Sequence, residues 1–359
     1  MAAMAAAAAV AGPADAAGIT SRARPADAVM AAVTGPAAVP AGFRPGSASF
    51  VSPVAGFVLG AVNCEPGHVC RAMLVATGDA GTRWRVLASP AGATSADNVA
   101  FAGRRTGWIY GSGLWVTRNG GGSWRRLRLG GPVASMAVSV GTAYAVVQPR
   151  TPGEELFASP VGRNAWRRVA GVRPGMPGSA LAAFGKSAWF GSGKTLWATA
   201  GGSRWRAHAF ACAKAGYALA GISAASSSRV YFLCLNFNSD MGHERMEVMV
   251  SANGGRTERL AGGKSPVIGD GGLIAVPPGN PSVITFAASA GVPSWIGRSA
   301  NGGKTWRQVG PLYGDGPWNS LQYASKTAGW IVLGRPGLGR SSELLRTTDA
   351  GRSWHRVSV

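Results

Sequence analysis

The sequence predicts an all-β chain folded as a seven-bladed β-propeller, on the grounds of its repeats, its periodicity and its composition. A short turn motif recurs with its first Ser/Thr at positions 77, 117, 159, 199, 251, 299 and 347, so successive copies lie 40, 42, 40, 52, 48 and 48 residues apart. A repeat of about 40–50 residues is the length of one four-stranded sheet in a radial array. Between copies, apolar residues alternate at period two with β-branched and aromatic enrichment, and no stretch carries a helical period. The 54 glycines and the 14% share of charged residues suit a turn-rich, folded chain of 359 residues.

The first 46 residues stand apart from the repeats. Met1–Gly18 is an apolar run ending in small residues, too short to cross a membrane. It reads as the core and cleavage region of a secretory signal peptide without its basic leader, with a retained Ala-rich tail as the alternative. Ile19 to Gly46, rich in Ala, Pro and Gly, reads as a linker. The propeller is expected over 47–359, with blades at 47–91, 96–131, 132–173, 178–211, 215–263, 269–310 and 317–359. No transmembrane segment is expected.

Each blade is read in the same order. An apolar segment such as NVAFAG (Asn98–Gly103) forms the innermost strand, and a strand centred on an aromatic (Phe57, Trp108, Tyr144, Trp189, Tyr231 or Trp330) follows. A third strand, for example LWVT (Leu114–Thr117), leads into the turn motif, and a fourth strand opens at its Trp. The central aromatics, with Trp115 and Trp197, are expected to fill the space between blades.

The motif's best copies are TGDAGTRW (Thr77–Trp84), TRNGGGSW (Thr117–Trp124), SANGGKTW (Ser299–Trp306) and TTDAGRSW (Thr347–Trp354). SANGGRTE (Ser251–Glu258) lacks only the Trp, while SPVGRNAW (Ser159–Trp166) and TAGGSRW (Thr199–Trp205) are weaker copies. Asp79, Asn119, Asn253, Asn301 and Asp349 can bond backbone amides two residues on. The following Gly supplies a positive φ. Trp84, Trp124, Trp306 and Trp354 then pack on the sheet and seek a carbonyl for the indole N–H. These residues are expected to be structural.

The pattern S/T-x-D/N-x-G-x-S/T-W resembles the Asp-box or BNR repeat of sialidase-like propellers, over about 315 residues from Ser47 onward. The resemblance implies a turn motif between the third and fourth strands of most blades. That places the motifs and the first-to-second-strand turns on one face. The opposite face carries the second-to-third-strand loops and the connections between blades. Its longest loops, Asn63–Cys70, Asn236–Met246 and Arg335–Ser342, are the expected binding surface.

Four cysteines form two local pairs, Cys64 with Cys70 and Cys212 with Cys234, and read as disulfides of an exported protein. Zinc is the alternative, but there is no CxxC and the four His (68, 208, 243 and 355) are scattered. His243-Glu244-Arg245-Met246-Glu247 misses the zincin pattern at its last position. The GK[ST] sequences ending at Thr195, Ser265 and Thr305 lack the glycine of a phosphate loop. No metal and no cofactor is expected.

The net charge of +21 raises the question of nucleic acid. Sixteen of the 36 basic residues lie inside the turn motifs or follow a motif Trp, on the expected outermost strands or their turns. There they discourage edge-to-edge pairing. Spread around a rim, they suit loose adhesion to acidic cell-wall polymers and no specific nucleic acid.

Sialidases with this repeat imply three arginines on the substrate carboxylate, a Tyr nucleophile activated by a Glu, and an Asp acid. Phe43-Arg44-Pro45 only partly matches their first-blade motif. None of the seven Glu (65, 154, 155, 244, 247, 258 and 343) is expected on the inner end of a strand beside a Tyr. Xyloglucan-degrading relatives imply two facing Asp. Asp97, Asp270 and Asp315 precede innermost strands, with Tyr313 and Trp318 flanking the last as a possible sugar platform; alternatively, these Asp cap turns between blades. Single-propeller proteins it also resembles, the photosystem assembly factors and sortilin-type receptors, bind peptides or protein segments. The expected protein is therefore an exported, non-catalytic monomer binding a protein, peptide or polysaccharide through its loop-rich face at Asp97, Asp270, Asp315, Tyr313 and Trp318. The alternative is a glycoside hydrolase, sialidase-like or xyloglucanase-like, acting on an extracellular glycan.

Overall fold

The computed structural model describes residues 38–64, 70–150, 153–173, 179–210, 212, 215–236, 245–262, 272–289, 294–313, 317–334, 336 and 342–359. The chain divides into Met1–Gly35 and Pro36–Val359, and the second unit holds every element that follows.

Alternating patterning produces seven separate four-stranded antiparallel meanders. Blade one is β1 (Arg44–Phe50), β2 (Gly56–Val62), β3 (Arg71–Thr77) and β4 (Arg85–Leu87). Blade two is β5 (Asn98–Phe101), β6 (Gly107–Tyr110), β7 (Leu114–Thr117) and β8 (Arg125–Leu127). Blade three is β9 (Val133–Ser139), β10 (Thr142–Val147), β11 (Glu155–Pro160) and β12 (Arg167–Arg168). Blade four is β13 (Ala180–Phe184), β14 (Ser187–Ser192), β15 (Thr195–Thr199) and β16 (Arg206–Ala209). Blade five is β17 (Tyr217–Ala224), β18 (Val230–Asn236), β19 (Arg245–Ser251) and β20 (Arg259–Leu260). Blade six is β21 (Gly272–Ala275), β22 (Ile284–Ser289), β23 (Ser294–Ser299) and β24 (Arg307–Tyr313). Blade seven is β25 (Trp318–Tyr323), β26 (Gly329–Leu333), β27 (Glu343–Thr347) and β28 (His355–Val357).

The first strands β1, β5, β9, β13, β17, β21 and β25 touch in that order around the axis, and β1 meets β25 to close the ring. Blade seven borrows no strand from blade one. Side chains close the ring instead. Phe50 stacks on Trp330 with ring centroids 3.7 Å apart, and the Trp84 indole N–H donates to the Ser358 carbonyl at 3.0 Å.

Each of the seven apolar clusters fills one junction between neighbouring blades. The second-strand aromatics Trp108, Tyr144, Trp189, Tyr231 and Trp330 are buried there, as are Trp115 and Trp197. Each such side chain removed from water contributes about 1.5–3 kcal/mol.

The turn motifs lock themselves, by a longer reach than two residues. In blade one the Thr77 hydroxyl donates to Asp79 Oδ1 at 2.8 Å and accepts from the Gly81 N–H at 2.9 Å, while Asp79 Oδ1 accepts from the Arg83 N–H at 2.9 Å. The same net recurs around Asn119, Asn253, Asn301 and Asp349. It winds two consecutive residues into positive φ, for example Gly120 at 70° and Gly121 at 89°. Alanine takes the first of these places at Ala80 (65°) and Ala350 (59°).

The motif tryptophans seal the junctions with the preceding blades. Trp84, Trp124, Trp166, Trp205, Trp306 and Trp354 each join the cluster between their own blade and the one before. Trp124 Nε1 donates to the Ala88 carbonyl at 2.7 Å, whereas the indole N–H groups of Trp166, Trp205 and Trp354 are buried without a partner among the described residues. Blade five has Glu258 in the tryptophan's place.

Candidate functional site

Strands two and three, and strand four with the next strand one, join on the face opposite the turn motifs. Both disulfides lie there and have the expected pairing, Cys64–Cys70 and Cys212–Cys234. The first braces the base of blade one's long loop. The second ties the connection after β16 to β18, and so joins blade four to blade five.

The residues expected at the channel mouth do not form one site among the described residues. Asp97 is only 3% exposed and fully engaged. Its Oδ1 accepts from the Ser112 N–H at 2.7 Å and from the Ser112 hydroxyl at 2.9 Å, and its Oδ2 accepts from the Thr94 N–H at 2.7 Å. Asp97 therefore takes the turn-capping alternative. Trp318 is 8% exposed, packs in the junction of blades six and seven, and donates its indole N–H to the Ala288 carbonyl at 2.8 Å. It is not an open sugar platform, because the chain enters β25 with this side chain turned into the core. Tyr313 ends the outermost strand β24, its backbone opposite Ser294, rather than standing at the axis. Asp270 and Asp315 lie outside the described residues.

A polar cluster does form at the loop-face end of blade five, from residues 30 positions apart. Tyr217 opens the innermost strand β17, and its hydroxyl donates to Glu247 Oε1 on β19 at 3.0 Å. Asn236 on β18 donates through Nδ2 to the Tyr217 hydroxyl at 2.7 Å. Glu247 thus meets a tyrosine from within the third strand β19, not from the inner end of a strand. The signal was available only through register: Tyr217 faces Asn236, and Asn236 faces Arg245, two positions from Glu247. The described innermost strands begin at Arg44, Asn98, Val133, Ala180, Tyr217, Gly272 and Trp318, which supplies one guanidinium.

A cleft on this face lies at the outer edge of blade one, about 610 Å³ bordered by Arg71, Ala72, Met73, Leu87, Ser89 and Pro90. β3 is longer than its partner. β4 covers only Leu74, Val75 and Ala76, and the Ser89 hydroxyl takes the Leu74 N–H at 3.0 Å where the ladder stops. Strand alternation sends the Ala72 N–H and C=O to the same side as those of Leu74. An open stretch of strand edge therefore borders the cleft, beside the Cys64–Cys70 brace.

These features define a seven-bladed β-propeller with a variable, disulfide-braced face. No protein-family model and no curated protein matches the chain. Solved structures match its fold. A structure of YCF48 bound to D1 peptide aligns with TM-score 0.57 at 20% identity, over 87% of this chain and 95% of that one. YCF48 from Cyanidioschyzon merolae aligns with TM-score 0.55 at 16% identity, over 87% and 97%. An ancestral GH74 enzyme aligns with TM-score 0.55 at 13% identity, over 88% of this chain and 46% of that one.

Proposed function

We propose that the protein is an exported, non-catalytic propeller of the Asp-box kind that binds an extended segment of an extracellular protein partner on its loop-rich face. The observation that carries this reading is the open edge of β3. An extended peptide gains main-chain hydrogen bonds by adding to such an edge, and side-chain contacts from the cleft beside it. A solved relative in fold, YCF48 bound to D1 peptide, holds a peptide, which fits this class of ligand. Two disulfides support export, since they persist in oxidising compartments.

The test is Ala72→Pro, which deletes the outward N–H at a position where an edge strand tolerates proline. A random-peptide display selection on the wild-type protein should yield extended binders that lose about tenfold or more in affinity to the variant, with unchanged melting temperature. Binders indifferent to the proline would remove β3 as the site.

The Tyr217–Glu247 pair favours the second reading, a glycoside hydrolase, because a Glu-activated Tyr is the nucleophile of sialidase-like chemistry. The single arginine among the described strand starts weighs against it. Sugar release from sialylated or plant glycans that Tyr217→Phe abolishes would establish the enzyme instead.

A further inference from the structure

The junction between blades four and five differs from the other six on the turn-motif face. There Glu258 replaces the sealing tryptophan, and the core is reached instead by Trp189 of blade four, which donates Nε1 to the Gly254 carbonyl at 2.9 Å. Beside this junction, on the same face, lies an open cleft of about 590 Å³. Its wall carries Arg204, Arg206 and His208 from blade four and Arg256 from blade five.

The charges in this cleft are uncompensated. Glu258 has a side chain only 6% exposed and already pairs with His208 Nε2 at 3.1 Å. Arg204, Arg206 and Arg256 make no ion pair among the described residues, whereas on other blades Arg168 is held by Glu155 at 3.3 Å and Arg356 by Glu343 at 2.7 Å. Between the guanidiniums the lining is Ser187, Ser203, Ser227 and Ser228, with alanines as its only apolar side chains. Guanidinium forks match carboxylate, sulfate and phosphate oxygens, and hydroxyls match sugar hydroxyls. A lining without large apolar side chains offers nothing to the side chains of a protein segment.

We infer that this cleft is a binding site for an anionic glycan, with Arg204, Arg206 and Arg256 holding its acidic groups. The site is separate from the β3 edge and independent of the reading given for it. It narrows the basic rim from a diffuse ring to one address.

Titration calorimetry on the purified full chain tests this with oligogalacturonate, dextran sulfate, neutral dextran and poly-aspartate as probes. Oligogalacturonate or dextran sulfate should bind the wild type and neutral dextran should not. The triple variant Arg204→Gln, Arg206→Gln, Arg256→Gln should lose about tenfold or more in affinity. The charge-matched rim variant Arg125→Gln, Arg126→Gln, Arg128→Gln should lose less than about twofold at near-physiological salt, where separated surface charges are screened. Equal losses in both triples would overturn the site in favour of diffuse rim electrostatics. Poly-aspartate binding with the same dependence on the cleft arginines would make the ligand an acidic peptide. Absence of binding to either anionic polymer would also overturn the inference.

Discussion

Asp349 shows what one carboxylate does in these turns. Burial works against its ionisation, but hydrogen bonds from the Ser353 N–H and hydroxyl, the Thr347 hydroxyl and the Arg352 N–H outweigh that and hold its pKa at about 2. A folded-state value below the ordinary 3.8 means that its contribution is complete above the unfolded value and is lost as pH falls through about 2. Asparagine already does this work at Asn119, Asn253 and Asn301, so Asp349→Asn should fold normally. Its melting temperature should fall less steeply than the wild type's between about pH 4 and about pH 2; parallel curves would show that the carboxylate does not titrate there. Trp124→Ala tests the neighbouring role. It removes an edge-on contact with Phe101 and the bond to the Ala88 carbonyl. Denaturant unfolding should register a loss of about 3 kcal/mol. The spacing of such residues was readable in advance because each motif is local. The fates of Asp97 and Trp318 were not, since Ser112 and Ala288 claim them from 15 and 30 residues away. Nor does the motif itself reveal that Ala80 and Ala350 must take positive φ.

The strands obey their sequence patterns closely, and the exceptions lie where partners differ in length. The sequence pattern places a fourth strand after Trp84, but not where β4 ends relative to β3. That mismatch, invisible without register, creates the open edge. The cysteines offer a cleaner case, because local spacing suffices to pair them. Chain-entropy arguments give the bridge spanning 22 positions about 3 kcal/mol and the one spanning 6 about 2 kcal/mol. Cys212→Ser with Cys234→Ser should therefore cost more than Cys64→Ser with Cys70→Ser in equilibrium unfolding, the more so because Cys212 and Cys234 are buried. The reverse order would mean that the blade-one loop matters more to the native state than its length implies.

For the whole molecule, the repeat period specifies the number of blades, yet it is silent on closure, because nothing in a periodic sequence says how the last unit meets the first. Here an aromatic stack does it. Phe50→Ala deletes the ring that rests on Trp330, and should cost about 3–5 kcal/mol. Amide exchange should then accelerate in β1 and β26 together while β14 keeps its protection; a uniform loss would show that the ring opens only as a unit. The net charge of +21 also acts at this scale, since a ring of like charges repels itself and gains from salt or from an acidic polymer.

The Cys212–Cys234 bridge sits on the one junction that lacks a sealing tryptophan, at the end opposite the gap. A circle of blades has no natural beginning, but this one has a clasp. Under a thiol reductant that junction would rest on its apolar cluster, with Trp189, Phe210 and Phe232 still buried in it. Limited proteolysis with and without reductant should register any loosening at blades four and five before the Phe50–Trp330 closure.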